Sequence, residues 1–275
     1  MSFNSVNTNR QAVFALQSLN QTNFELGGVQ KRVSTGFRVA DARDDGGAFA
    51  VAQAVRSDVA GVTAVNEQLG GVKGVLQTTF AALSVVSDTM RQARATLTRL
   101  ADGAIDATQR AQYVEQYNLL ASQVSSFIDD AKYNGKTLLS TTSTAGGGNI
   151  VGIRNEEGGT FTINATDGAL LKIAAAAPTD AAASVTYLNG GFTTTDAAIS
   201  TALNRFGASM QYVENQITYN AKKNDAMNDG LGALVDADLA KESSNLQALQ
   251  TRQQLGIQTL SLANQGPQVL LSLFR

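Results

Sequence analysis

The apolar positions of this chain fall into long stripes, and the longest runs between residues 62 and 100. Positions 62, 65, 69, 72, 76, 79, 83, 86, 90, 93, 97 and 100 read Val, Val, Leu, Val, Leu, Thr, Leu, Val, Met, Ala, Leu, Leu, apolar at eleven of twelve. Alternating steps of three and four, held over more than five heptads, describe a helix that packs one seam in a coiled coil. At about 1.5 Å per residue, a helix from 48 to 100 would extend roughly 80 Å.

The same spacing recurs on both sides of this stripe. After the turn "ADGAID", Val114, Tyr117, Ala121, Val124, Ile128 and Ala131 predict a second helix. The short connection makes it an antiparallel neighbour. Asn134-Gly135 then predicts a tight turn. Further on, Ile199, Leu203, Phe206, Met210, Val213 and Ile217 predict another helix, with weaker apolar spacing through Met227, Leu231 and Leu234.

Both chain ends carry helices of a different kind. Near the start, Ala12, Leu16, Leu19, Leu26 and Val33 form a stripe with Asn23 and Gln30 in its polar slots, ending near Gly36. In the last helix Leu239, Leu246, Leu249, Ile257 and Leu260 fall on one face, and Leu255 and Leu262 on nearly the opposite one. Between them runs an uncharged polar stripe of Ser243, Gln247, Gln250, Gln254, Gln258, Ser261 and Gln265. A helix that is apolar on two sides needs more than one partner. The chain closes on "VLLSLFR", where Leu270, Leu271, Leu273 and Phe274 again ask for a cover.

Between 140 and 195 the composition shifts to Gly, Thr, Ser and Ala, and "NIVGIRNEEGGTFTIN" predicts a small hairpin in a surface-exposed insert. The expected fold is mainly α, with long antiparallel coiled-coil helices from both chain ends and a small β-hairpin insert in the middle. Its parts are a pair of terminal helices (1–40 and 233–275), a linker (41–55), longer rod helices (56–139 and 196–232) and the insert (140–195).

Composition narrows the chemistry. Neither Cys nor His occurs, which removes thiol nucleophiles, disulfides, Ser-His-Asp triads and the usual zinc ligands. A net charge of −2 with scattered Lys and Arg offers no basic stripe for nucleic acid. Asp236 and Asp238, two residues apart, diverge on a helix and fit a helix start better than a metal pair. The cluster "DARDD" at 41–45 reads as a solvated linker with a local Arg43 pair. No phosphate loop is present in "GGGNIVG" or "LGGVKG", which do not have its spacing. No cofactor is expected, and no converging polar cleft points to an enzyme or an adhesin.

The N-terminus has no basic start and an apolar run of only five residues, so no secretory signal is expected. Residues 253–274 are uncharged, but only 10 of the 22 are apolar, which argues against membrane insertion. The glutamine stripe would suit either a solvated face or a neutral lumen. The scarcity of Lys and Glu on it favours the lumen.

The opening "NTN", then "QKRVSTGFRVADARDDGGAFAVA", "AKYNGKTLLS" and "LVDADLAKESSNLQALQTRQQLGIQTLSLANQGPQVLLSLFR" resemble bacterial flagellin, in wording closest to alphaproteobacterial members. The resemblance covers roughly residues 1–140 and 195–275. It implies an extracellular filament subunit that polymerises through its terminal helices around a channel. Carried onto this chain, Leu16, Leu19, Leu26, Val33, Leu246, Leu249, Ile257, Leu260, Leu270, Leu273 and Phe274 would pack subunits, and Gln247, Gln250, Gln254, Gln258 and Gln265 would line the channel. Implied partners are copies of itself, the flagellar type III export apparatus, an export chaperone, and hook-associated and cap proteins. A hook-filament junction protein shares the terminal pattern and is the alternative.

Overall fold

The computed structural model describes the backbone of residues 9–142 and 146–273, with side chains as far as Gln265. The elements are α1 (Arg10–Thr35), α2 (Gly46–Leu100), α3 (Ala107–Asp129), β1 (Ile150–Ile153), β2 (Thr160–Ile163), a 3-10 turn (Gly168–Leu171), α4 (Ala181–Tyr187), a π turn (Leu188–Phe192), α5 (Thr193–Val235) and α6 (Leu239–Leu273). They form two compact units, residues 1–57 with 226–275 and residues 58–225, and α2 and α5 each contribute to both. The mainly helical fold with one small hairpin is the one expected.

The core of unit 58–225 is the long seam read from the sequence. Eleven of its twelve positions are buried and Val72 is half-buried. Thr79, the one polar member, is fully buried, and its hydroxyl donates to the Val75 carbonyl at 2.8 Å. That bond within the helix satisfies the hydroxyl, so no partner is needed across the seam. Tyr117, Ala121, Val124 and Ile128 of α3 and Ile199, Phe206 and Val213 of α5 complete the same cluster. Helix α2 is long and apolar enough to cross a membrane by composition. Its seam side chains are packed in the core, while Val51 and Val85 are exposed.

Residues 140–195 depart from the expected surface insert. The hairpin is there, with Ile150 opposite Ile163 and Ile153 opposite Thr160 in antiparallel register. However, Ile163, Leu171, Ile173 and Phe192 are buried in the main core. Tyr187 packs edge-on to the buried Tyr117 ring, with centroids 6.4 Å apart. Three helices meeting along stripes leave a gap at their flank, and these few large side chains, sparse in the segment's composition, fill it. The hairpin tip is clamped to α5. Gln216 and Asn220 donate to the Arg154 carbonyl at 3.0 and 3.2 Å, and Lys223 pairs with Glu156. That lysine holds the Glu156 carboxyl below its ordinary range.

Helix ends follow local chemistry. Asn9 caps α1 by accepting from the Ala12 N–H, Asp106 caps α3 by accepting from Gln109, and Asp238 accepts from Ala240 and Lys241 at the start of α6. Asp238 thus has the helix-start role expected of it. Asp236 instead lies in the joint before α6, bridged to Phe37. Asn134 and Gly135, at φ 48° and 73°, make the predicted tight turn, closed by a reciprocal pair of 2.9 Å bonds between Tyr133 and Lys136.

Within unit 1–57/226–275 the chain passes twice through a joint. Arg38 and Val39 donate to the Val235 carbonyl at 2.7 and 3.2 Å, Ala237 donates to Gly36 at 2.9 Å, and Val39, Ala52 and Val235 are buried together. The expected linker 41–55 is a linker only as far as Asp45, because α2 starts at Gly46. Its aspartates are organised by Lys31 of α1, at 2.9 Å from Asp41 and 2.8 Å from Asp44. The Arg43 pair is present but subsidiary, at 3.2 Å.

Hydrogen bonding from Lys31 draws the Asp41 and Asp44 carboxyls below their ordinary range, and those two carboxylates push Lys31 up. Groups drawn down contribute fully above the unfolded aspartate value and lose that contribution as pH falls through their folded values. The Ala40 amide, which donates to Asp44 at 3.0 Å, should therefore keep its shift at neutral pH and titrate only below the ordinary aspartate range. Lys31→Met should move that titration upward, read by amide NMR.

In the other unit, Leu83→Ala should cost about 2–5 kcal/mol, read by urea denaturation. Leu119→Ala, at an exposed position, should stay within about 0.5 kcal/mol.

Candidate assembly surface

Helices α1 and α6 pair antiparallel. The contacts Asn9–Ala263, Leu19–Gly256, Asn23–Gln253 and Arg32–Glu242 show this, since the second number falls as the first rises. The seam residues of α6 from Glu242 onward are Glu242, Leu246, Leu249, Gln253, Gly256, Leu260 and Ala263, again in steps of three and four, and the rest of that stretch is exposed. Facing them on α1 are Ala12, Ala15, Leu19, Thr22, Leu26, Val29 and Val33, all buried or half-buried.

This register differs from the sequence reading on one side of each helix. Ala12, Leu19, Leu26 and Val33 are in the α1 seam as expected. Ala15, Thr22 and Val29 take the alternate places given to Leu16, Asn23 and Gln30, which are exposed. A column of positions seven apart leaves open whether the second column lies three or four residues on, and the partner helix decides. Val29, an apolar residue beside two polar candidates, was the available signal. On α6 Leu246, Leu249 and Leu260 are in the seam, but Leu239 and Ile257 are exposed and Gly256 sits where a large side chain was sought. A Cβ on Gly256 would lie 3.2 Å from the Leu19 Cδ1, so the glycine is the hole that takes Leu19.

The pair buries little. Only Leu26, Val29 and Leu249 are fully buried, with Val33 and Leu246 packed on them. Meanwhile Phe24 is 84% exposed, Leu262 71%, Phe14 69%, Leu255 55% and Ile257 54%. Phe14 and Phe24 were missed in the sequence because they stand off the apolar stripe. In a chain with 6% aromatics, two phenylalanines on the polar side of a terminal helix were the signal. Phe24, Gly28, Val29, Ala248 and Leu249 line a groove of about 410 Å³ along one flank, edged by Glu25, Arg32 and Arg252.

Gln247, Gln250, Gln254, Gln258 and Gln265 are all exposed, as are Ser243 and Ser261. At about 100° of turn per residue they share one stripe about 125° round the helix from the seam, with Leu255 and Leu262 beyond it. The side chains of Leu270 and Leu273, and Phe274 entirely, lie outside the described residues. Among the described residues no cluster of acidic side chains is arranged to hold a metal ion. The chemistry on offer is apolar area, and such area on a thin helix pair serves association.

A family model described as the bacterial flagellin N-terminal helical region matches residues 6–144, and one described as the C-terminal helical region matches residues 192–274. Flagellin FljM of Caulobacter vibrioides is 35% identical, with all of both chains covered. A flagellin of Brucella melitensis is 33% identical over 98% of this chain and 99% of its own. Among solved structures, Bacillus cereus flagellin aligns with a TM-score of 0.51 at 22% identity, covering 56% of this chain and 88% of its own. A flagellar hook-associated protein from Vibrio parahaemolyticus aligns with a TM-score of 0.58 at 13% identity, covering 70% of this chain and all of its own. At such identities the two structures speak for the fold alone, which filament and hook-associated proteins share, while the full-length sequence relatives are flagellins. Matched at both ends by the family models and along its whole length by these relatives, the chain belongs to the bacterial flagellin family.

Proposed function

We propose that α1 and α6 are the arms through which this flagellin enters the filament. As a member of its family it is a structural subunit of the extracellular flagellar filament, assembled from copies of itself for motility. The observation that carries the finer reading is the imbalance of the helix pair: a short buried seam beside Phe14, Phe24, Leu255, Ile257 and Leu262 exposed around it. Unit 1–57/226–275 then corresponds to the inner polymerisation domain and unit 58–225 to the outer one. Leu16 and Ile257, exposed, would pack neighbouring copies, as would Leu270, Leu273 and Phe274. Leu26 and Leu249 act indirectly, by holding the two arms together.

The glutamine stripe of α6 would face the channel. A neutral, hydrated wall binds neither positive nor negative segments of a passing chain, whereas charges would retain segments of opposite sign. Chains without disulfides suit threading through a type III export apparatus, with a chaperone covering the apolar tail beforehand and hook-associated and cap proteins bounding the filament. The role is purely structural and uses no cofactor. The full-length flagellin relatives favour this reading over a junction protein.

Given short filament seeds, full-length chains should elongate them into long tubes, and chains without residues 236–275 should stay monomeric while keeping the helical signal of residues 58–225. Electron microscopy and light scattering decide between the two. If both forms remained monomeric, the tail would have another partner. Leu255→Asp with Leu262→Asp should likewise abolish elongation while shifting the melting of residues 58–225 by less than about 2 °C.

A further inference from the structure

The α1–α6 seam is too lean to choose its own register. Of its fourteen positions only Leu26, Val29 and Leu249 are fully buried, and Ala12, Ala15, Gly256 and Ala263 contribute little area. Moving α6 along α1 by one heptad would keep the three-four pattern and pair small or apolar residues again: Leu19 would meet Ala263 in one direction and Leu249 in the other. Area alone does not separate these arrangements.

One contact does. Arg32 donates to Glu242 at 3.0 Å, at the end of the seam nearest the joint, where the glutamate side chain is only 15% exposed and the arginine 32%. A slip that brings Glu242 toward the N-terminus of α1 sets it beside Glu25, two carboxylates together. A slip the other way sets Arg32 against Leu249 and removes Glu242 from its partner. In each case a partly buried charge loses its counter-charge, which is far more costly than the loss of a surface pair. Two uncharged rungs, Gln253 to Asn23 at 2.7 Å in an exposed position and Asn9 to the Ala263 carbonyl at 2.7 Å, agree with the same alignment.

We infer that Arg32–Glu242 is the register lock of the terminal helix pair, and that its positioning role is to present the exposed apolar faces of α1 and α6 at fixed relative heights for a second copy of the chain. A slip of one heptad displaces one face against the other by about 10 Å, which no repeating lattice of identical contacts accommodates. Arg32 and Glu242 are thus positioning residues for assembly. The inference rests on reading α1 and α6 as the assembly arms.

The chain has no cysteine, so register can be read directly by cross-linking. A Cβ on Gly256 would lie 3.8 Å from the Leu19 Cβ, at the mean separation for a disulfide. In the full-length chain, Leu19→Cys with Gly256→Cys reports the native register, and Leu19→Cys with Ala263→Cys or Leu249→Cys reports the slipped ones. Arg32→Glu or Glu242→Arg alone should lower the native cross-link, raise a slipped one, and slow seeded elongation about tenfold. The double exchange Arg32→Glu with Glu242→Arg should restore both, which a variant that merely failed to fold would not do. An unchanged native cross-link in the single variants, or an exchange no better than either single, overturns the lock. Native cross-linking lost and restored without any change in elongation would keep the register role and overturn the assembly arms, so the two readings fail separately.

Discussion

Two helices joined along a single seam bury one stripe each and leave the rest of their surface to something else. The form of this protein follows from that limit at its chain ends. In residues 58–225 the limit is met internally: α2 meets α3 and α5 along a seam in which eleven of twelve positions are buried, and large side chains from 140–195 close the flank. In the α1–α6 pair it is not met, and Phe14, Phe24, Leu255 and Leu262 remain outside. The first arrangement makes a stable folded unit. The second leaves apolar side chains that the described chain does not cover, and the proposed assembly role rests on that imbalance.

The long seam was legible in the sequence because its side chains are large and its repeat is long, so the period and the burial coincide. The terminal seam was half legible. Its apolar column at 12, 19, 26 and 33 stood out, but the second column at 15, 22 and 29 holds Ala and Thr beside Val29, and hydropathy favours the exposed Leu16 over Ala15. Gly256 was invisible for the same reason, since a hole has no hydrophobicity of its own. The core contribution of 140–195 was hidden by composition, where a few residues such as Leu171 and Phe192 are outnumbered by Gly, Ser and Thr. Lys31 was missed because its acidic partners lie ten and thirteen residues further on, across a turn that only the folded chain brings back.

The buried threonines of α2 show how a helix this apolar stays specific. Thr79 donates to Val75 at 2.8 Å, Thr89 to Val85 at 2.9 Å and Thr96 to Gln92 at 3.1 Å, each one turn back within α2. These threonines fit into close-packed layers without asking anything of α3 or α5. In the terminal seam Thr22 bonds back to Ser18 in the same way, but two polar positions of α6 behave differently. Glu242 and Gln253 bond across to α1, so there the polar groups carry alignment while the apolar ones carry only part of the adhesion.

Bulk is also distributed unevenly along the terminal pair. Leu26, Val29, Val33, Leu246 and Leu249 gather toward the joint at Gly36 and Asp236, while Ala12, Ala15, Gly256 and Ala263 lie toward the far end. Local stability follows buried apolar area, so the pair is firmest beside the joint and weakest at the chain ends. Counting outward from the joint, Arg32–Glu242 comes before the small residues further along. On the proposed register role, the charge pair stands where its choice would propagate furthest, and the apolar area still open along the helices is what neighbours in the filament would cover.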